Sequence, residues 1–211
     1  MTKANIHLWG GDAFLTIANG VDPDRRSDYE AWHSLEHVPE RLTMPGFMSA
    51  MRLVAGHGAE TRYLTIYDLE TAAAVETPAY RHLLANPTPG SLAMRPVMTD
   101  LRRGLYRQDG CSGAGAAGHL GWVTWRGLPI PGSLNLAGRD GITSVRLGTS
   151  LPLPSHPAFP STSGQVEEHR IVLISGTTID ELRTAIAHVS AIAAVRQGIM
   201  EYGLADLILA Y

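Results

Sequence analysis

The chain has 211 residues, 17 Lys+Arg against 20 Asp+Glu and a formal net charge of −3. Its 45% hydrophobic and 18% charged content is that of a soluble globular protein, long enough to bury a core without staples. A lone cysteine, Cys111, excludes an intramolecular disulfide, and no basic run interleaved with aromatics supports nucleic-acid binding. No charged leader followed by an apolar core opens the chain and no run spans a membrane, so a cytoplasmic protein is expected, with no nucleic-acid or membrane partner.

In chain order, residues 6–18 are apolar and suit an opening strand. Asp24 or Ser27 caps the helix that follows, with Tyr29, Trp32, Leu35 and Leu42 at helical spacing. Residues 47–54 and 63–69 are strands, the second cleanly alternating. Residues 72–85 form a second helix, disturbed at Pro78, and residues 101–107 close the half as a strand. The run Gly110-Cys-Ser-Gly-Ala-Gly-Ala-Ala-Gly118 has little to bury and behaves as a flexible connector.

Beyond it, residues 120–125, 142–147 and 170–175 are strands. Ile179, Leu182, Ile186, Val189, Ile192 and Val195 mark an amphipathic helix, and residues 204–211 a last strand. Between Arg126 and Gly141 there are too few residues, with too many Pro and Gly, for a copy of the long first helix. The Pro-rich stretch 151–160 is an extended surface loop. The expected architecture is α+β: a ferredoxin-like βαββαβ unit over 1–109 carrying the site, a linker over 110–118, and a degenerate unit over 119–211 that lacks the first helix. A bare sheet face seeks cover, so the two units should pack sheet to sheet.

The densest chemistry lies in Asp28-Tyr-Glu-Ala-Trp-His-Ser-Leu-Glu-His-Val-Pro-Glu-Arg-Leu42: two imidazoles, carboxylates, a guanidinium and two aromatics beside a proline. At about 100° per residue, His33 and His37 lie opposite a stripe of Trp32, Leu35 and Leu42, which turns both away from the sheet unless Pro39 breaks the helix and redirects His37. Glu36 and Glu40 are near enough to raise the His37 pKa, while Arg41 opposes them. His33-Ser-Leu-Glu-His37 also matches the short H-x-x-E-H pattern of a zinc-enzyme class, but Glu76 is a weak third ligand and no metal is expected. Tyr63 and Tyr67 share one strand face, and a buried tyrosine hydroxyl can hold an oxyanion, although core packing is the commoner role. Trp32, His33, Arg41 and Tyr80 are candidate substrate contacts, with Tyr29 and His82 behind them.

Trp32-His-x-x-Glu-His37-x-Pro-Glu-Arg-Leu42, then Pro45-Gly-Phe47, then the strand Arg62-Tyr-Leu-Thr-Ile-Tyr-Asp-Leu69, resembles the dimeric α/β-barrel superfamily, most of all its EthD-like members. The resemblance covers about residues 5–108 and implies a fused pair of ferredoxin-like units forming one barrel. It implies a small-molecule cavity bordered by a first-helix histidine, which corresponds to His37. The superfamily holds cofactor-free monooxygenases, isomerases, cyclases, decarboxylases and haem enzymes, so it names no single reaction. The haem branch directs notice to His169, which opens a strand.

The expected function is cofactor-independent proton transfer (isomerase, cyclase, dehydratase or decarboxylase chemistry) on an apolar, aromatic or polyketide-like small molecule. His37 acts as general acid/base, Glu36 or Glu40 tunes it, and Tyr67 or Arg41 holds the oxyanion. The alternatives are a cofactor-free monooxygenase in the same cavity and a non-catalytic small-molecule-binding protein, with a homodimer left open.

Overall fold

The structure is a computed structural model describing residues 9–56, 58–129, 136–159, 167–194 and 199–207. It divides into two compact units. The first comprises Gly11–Leu105 with the described part of 152–165; the second comprises Tyr106–Leu151, the described part of 166–207 and the short segment before Gly11.

In the first unit, β1 (Ala13–Val21) leads into α1 (Arg26–Trp32), a π-helical turn (His33–His37) and α2 (Val38–Leu42). Strands β2 (Phe47–Ala55) and β3 (Arg62–Leu69) follow, then α3 (Pro78–Ala85), α4 (Pro89–Met94) and the start of β4 (Met98–Gly113). The strand order is β4-β1-β3-β2. Antiparallel β3 sits between its neighbours, pairing Tyr67 with Leu15 and with Ala50. The strand expected from residue 6 starts at Ala13; of its early part, residues 6–8 lie outside the described residues. A Cβ on Gly11 would run into the Leu69 carbonyl, so the chain passes close to β3 there before pairing begins.

Helix 72–85 is split as its proline suggested. Residues 72–76 wind as a 3₁₀ turn, and Thr77 then caps α3, its Oγ1 accepting from Tyr80 N at 3.2 Å with Pro78 in the first turn. Thr88 and Pro89 repeat this arrangement to start α4, a helix the hydrophobic pattern does not announce. Tyr29, Trp32, Tyr63, Met94 and Val97 form a core between helices and sheet.

The second unit holds β5 (His119–Arg126), β6 (Ile142–Leu151), β7 (His169–Gly176), α5 (Ile179–Ala194) and β8 (Ile199–Leu207), in the order β8-β5-β7-β6. Read from each unit's own first strand, both orders are 4-1-3-2, the ferredoxin-like arrangement. The α+β class with paired ferredoxin-like units is therefore the one expected. Among the described residues between β5 and β6 there is no helix, as the composition of that stretch requires. Val123, Trp125, Val172, Ile174, Leu182, Ile186 and Val189 pack its core, so α5 buries the stripe its periodicity marks. Strand β4 runs on through Gly110–Gly113, where Gly113 adopts a φ of 78°. Val195, Pro160 and residues 208–211, assigned from sequence to a helix, a loop and a strand, lie outside the described residues. No helix among the described residues is long and apolar enough to cross a membrane.

Candidate functional site

The site is organised by the π-turn. Val38 N–H donates to the His33 carbonyl, a bond between residues five apart. The next residue, Pro39, has no amide to offer, and its ring would crowd the Leu35 carbonyl in a regular helix; the wider turn relieves that clash and the helix continues through the proline. In an α-helix, residues five apart are about 140° out of line. Here the wider turn brings Trp32 and His37 onto one face, with ring centroids 4.3 Å apart.

The expected stripe holds at Tyr29 and Trp32 and fails at Leu35 and Leu42. Leu35 is 75% exposed, whereas Tyr29, Trp32 and His33 are buried. The inward face is aromatic and imidazole, not aliphatic: His33 stacks near Tyr29 at 5.3 Å and near His37 at 5.0 Å. Both histidines face the interior, and Pro39 does not end the helix.

Each expected site residue has a definite place. His37 lines a cavity of about 30 Å³ together with Trp32, Glu40, Arg41, Arg95, Met98, His156 and Phe159. Its Nδ1 is closed off from solvent and makes no hydrogen bond among the described residues. His33 lies deeper, with Nε2 3.4 Å from Thr65 Oγ1. Arg41 is buried, bonds Glu40 at 2.8 Å and donates to the His37 carbonyl at 3.4 Å. Glu36 does not border the cavity: Thr88 Oγ1 donates to its carboxylate at the head of α4. Tyr67 is buried in β3 with its hydroxyl unpartnered among the described residues, and Tyr80 packs on Phe47 with ring centroids 5.0 Å apart. Neither tyrosine lines the cavity.

The electrostatics also run against the sequence expectation. Burial, then the charge of Arg41, holds the His37 pKa well below its ordinary value, with His33, His156 and Arg52 adding to the effect. Burial does the same to His33, helped by Arg52 and Arg41. Neither carboxylate offsets this, because Glu40 is spent on Arg41 and Glu36 on Thr88. Burial raises the Tyr67 hydroxyl beyond its usual range, so it stays protonated. At neutral pH the site therefore holds uncharged imidazoles beside guanidinium cations.

The sequence did not point to His156, Phe159, Arg95 or Arg103. His156 comes from the Pro-rich stretch expected to be surface loop, yet it is only 9% exposed, and its pKa is lowered to about 3 by burial and then by Arg103, Arg95 and Arg41. Only the isolated histidine amid prolines marks it in the sequence.

Among the described residues, His169 is not placed as a haem ligand. His169 engages both ring nitrogens, Nε2 with Tyr106 Oη at 3.0 Å and Nδ1 with the Glu167 carbonyl at 3.2 Å. No group of three His, Cys, Asp or Glu side chains among the described residues is placed to hold a metal ion.

No protein-family model and no curated protein sequence matches the chain. Solved structures do. An anthrone oxidase-like protein superposes with a TM-score of 0.61 at 9% identity, over 95% of this chain and 93% of that one. The likeness is one of fold. A protein of Fusobacterium nucleatum subsp. nucleatum described as a candidate monooxygenase gives 0.52 at 11% identity, over 96% and 94%. A chlorite dismutase of Candidatus Nitrospira defluvii gives 0.52 at 9% identity, over 95% and 93%. These likenesses are of fold alone, an α+β chain of two ferredoxin-like units.

Proposed function

We propose that the chain is a small-molecule enzyme that removes a proton from an acidic C–H group of an apolar, aromatic or polyketide-like substrate without a cofactor. His37 is the base, Arg41 and Arg95 hold the oxyanion that forms, and Trp32, Met98 and Phe159 supply the apolar wall. The observation that carries this is an imidazole lining a cavity beside a buried arginine, where burial and that arginine hold its pKa below the ordinary value. A base must be unprotonated to act, and a cation beside the acceptor oxygen stabilises charge as it develops. The EthD-like resemblance of the His33–His37 segment supports the same assignment. Glu36 has no part in it, since it is tied to Thr88. Tyr67 lies outside the cavity lining but within the field of Arg41, and serves as a support to the wall.

A base of lowered pKa suits a substrate whose anion is already well stabilised, such as a doubly benzylic methylene conjugated through its rings to a ketone. Anthrone is a trial substrate of this class. Its methylene protons should exchange with D₂O faster in the presence of the protein, read by NMR. His37→Asn should lower that exchange about 10²-fold or more. Exchange unaffected by the substitution would remove His37 from the role.

The fold likeness to an anthrone oxidase-like protein favours a second reading, in which the same carbanion reacts with dioxygen. An oxygen electrode separates the two: consumption stoichiometric with anthrone loss supports the oxygenase, and exchange without consumption supports isomerase or lyase chemistry. At about 30 Å³ the cavity is smaller than a ring, so this reading requires it to widen when substrate binds.

A further inference from the structure

We propose that His156 is a catalytic hydrogen-bond donor of this site: its Nε2–H holds the carbonyl oxygen of the substrate, and the enolate oxygen that replaces it, while His37 takes the proton from carbon. The inference deepens the proposed function and rests on it.

The first support is the local fold of the segment that carries the ring. His156-Pro157-Ala158-Phe159 is a tight turn: Phe159 N–H donates to the His156 carbonyl at 3.0 Å, with Pro157 at the position where its fixed φ suits a turn. Inside the turn, Ala158 N–H donates to His156 Nδ1 at 3.1 Å. A nitrogen that accepts a hydrogen bond carries no proton, so the uncharged ring has its hydrogen on Nε2. The tautomer is set by the backbone. Phe159 packs against the imidazole, with ring centroids 5.1 Å apart, and Arg103 donates to the Pro154 carbonyl at 3.4 Å at the base of the segment. The ring is thus pre-oriented before any substrate arrives.

The second support is what surrounds it. His156 lines the same cavity as His37, Arg41 and Arg95. The charged groups that hold its pKa down, after burial, are the cations Arg103, Arg95 and Arg41, and His37 is a further titratable neighbour. Among the described residues, the one carboxylate in the lining, Glu40, bonds Arg41. A histidine so placed has no acid to pair with and no reason to charge, so it serves as a donor and not as a base. An uncharged imidazole can hold an enolate oxygen without surrendering its proton, since its N–H is a far weaker acid than imidazolium. The proton balance is simple. The C–H proton moves to His37, the electron pair moves onto the substrate oxygen, and His156 keeps its hydrogen throughout. The negative charge is met by the new His37 imidazolium and by the arginines.

The test uses the full chain, ¹⁵N-labelled at histidine, with anthrone as the probe. In the unmodified protein, His156 should show a protonated Nε2 and an accepting Nδ1 from pH 8 to pH 5. A ring that titrates near 6.5, or carries its hydrogen on Nδ1, overturns the proposal. Adding anthrone should move the His156 Hε2 signal downfield. His156→Phe should lower the methylene exchange rate about 10²- to 10³-fold, as loss of one oxyanion donor does elsewhere. His156→Gln, which restores an N–H, should recover at least tenfold of that loss. Equal exchange by His156→Phe and unmodified protein overturns the donor and leaves His37 as base. Equal exchange by His37→Asn overturns the base, and the Hε2 shift still decides for or against the donor. Neither exchange nor shift in the unmodified protein overturns both.

Discussion

Three imidazoles held uncharged inside one small unit make the fold acid-labile in a calculable way. His33, His37 and His156 all have folded-state pKa values depressed below 6.5, the last to about 3. Above pH 6.5 they are uncharged in both folded and unfolded chains, and contribute no pH dependence. As pH falls through 6.5, the unfolded chain takes up protons that the folded chain refuses, so stability is lost from about 6.5 downward, until the folded groups themselves protonate. For His156 that limit lies near 3. At pH 5.0 each such group costs about 2 kcal/mol, so the three together cost about 6 kcal/mol, with a limiting slope near 4 kcal/mol per pH unit. That is a large part of the 5–15 kcal/mol typical of a domain. Urea unfolding followed by circular dichroism at pH 7.5, 6.5, 5.5 and 5.0 measures it directly. His33→Asn should flatten the slope by about one proton, whatever it does to the stability at pH 7.5. A loss below 2 kcal/mol between pH 7.5 and 5.0 would refute the argument, because it would leave no more than one of these rings buried and uncharged.

Further outcomes follow from the same packing. Leu35→Glu, on a side chain 75% exposed, should change stability by no more than about 0.5 kcal/mol, whereas Trp32→Ala should cost about 3–5 kcal/mol in the same urea assay. Thr88→Val removes the α4 cap and the hydroxyl bonded to Glu36, and should cost about 1–2 kcal/mol, with the α4 amides losing protection in hydrogen exchange. Arg41→Met should raise the His37 pKa, read as an upward shift of the acid limb of anthrone exchange, while lowering the exchange rate itself.

Much of the fold is legible in the sequence because its signals are local. The alternation of Tyr63 to Leu69 and the heptad-like spacing from Ile179 to Val189 report directly on a half-buried strand and a one-sided helix. Thr77-Pro78 and Thr88-Pro89 are the same capping signal, and treating the first as a disturbance hid the second helix. The site was legible in part. Its dense segment stood out, but counting leucines as the buried face put Leu35 inside and the histidines outside. Two facts defeat that count. Tyr29, Trp32, His33 and His37 are themselves a face at helical spacing, and the π-turn shifts the phase by a residue that no hydrophobic pattern records. His156 was illegible for a different reason. It is 119 residues from His37 in sequence and reaches the cavity through tertiary structure alone.

The weakness of His37 as a base is part of how such a site would work. A histidine poised near 7 would spend time as imidazolium, which would set a further positive charge beside Arg41. Burial with Arg41 prevents that, at the expense of proton affinity. The same guanidinium recovers the affinity at the moment of reaction. In the proposed reaction, charge developing on the substrate oxygen would offset the part of the Arg41 charge that Glu40 leaves unbalanced, easing its repulsion of His37 and giving the ring an anionic neighbour. The base therefore strengthens as the transition state forms and not before, which is differential binding of the transition state expressed through one charge. Loss of Arg41 separates the two effects: the resting base becomes stronger and the reaction slower. A slower reaction with an unmoved acid limb would assign Arg41 to positioning alone.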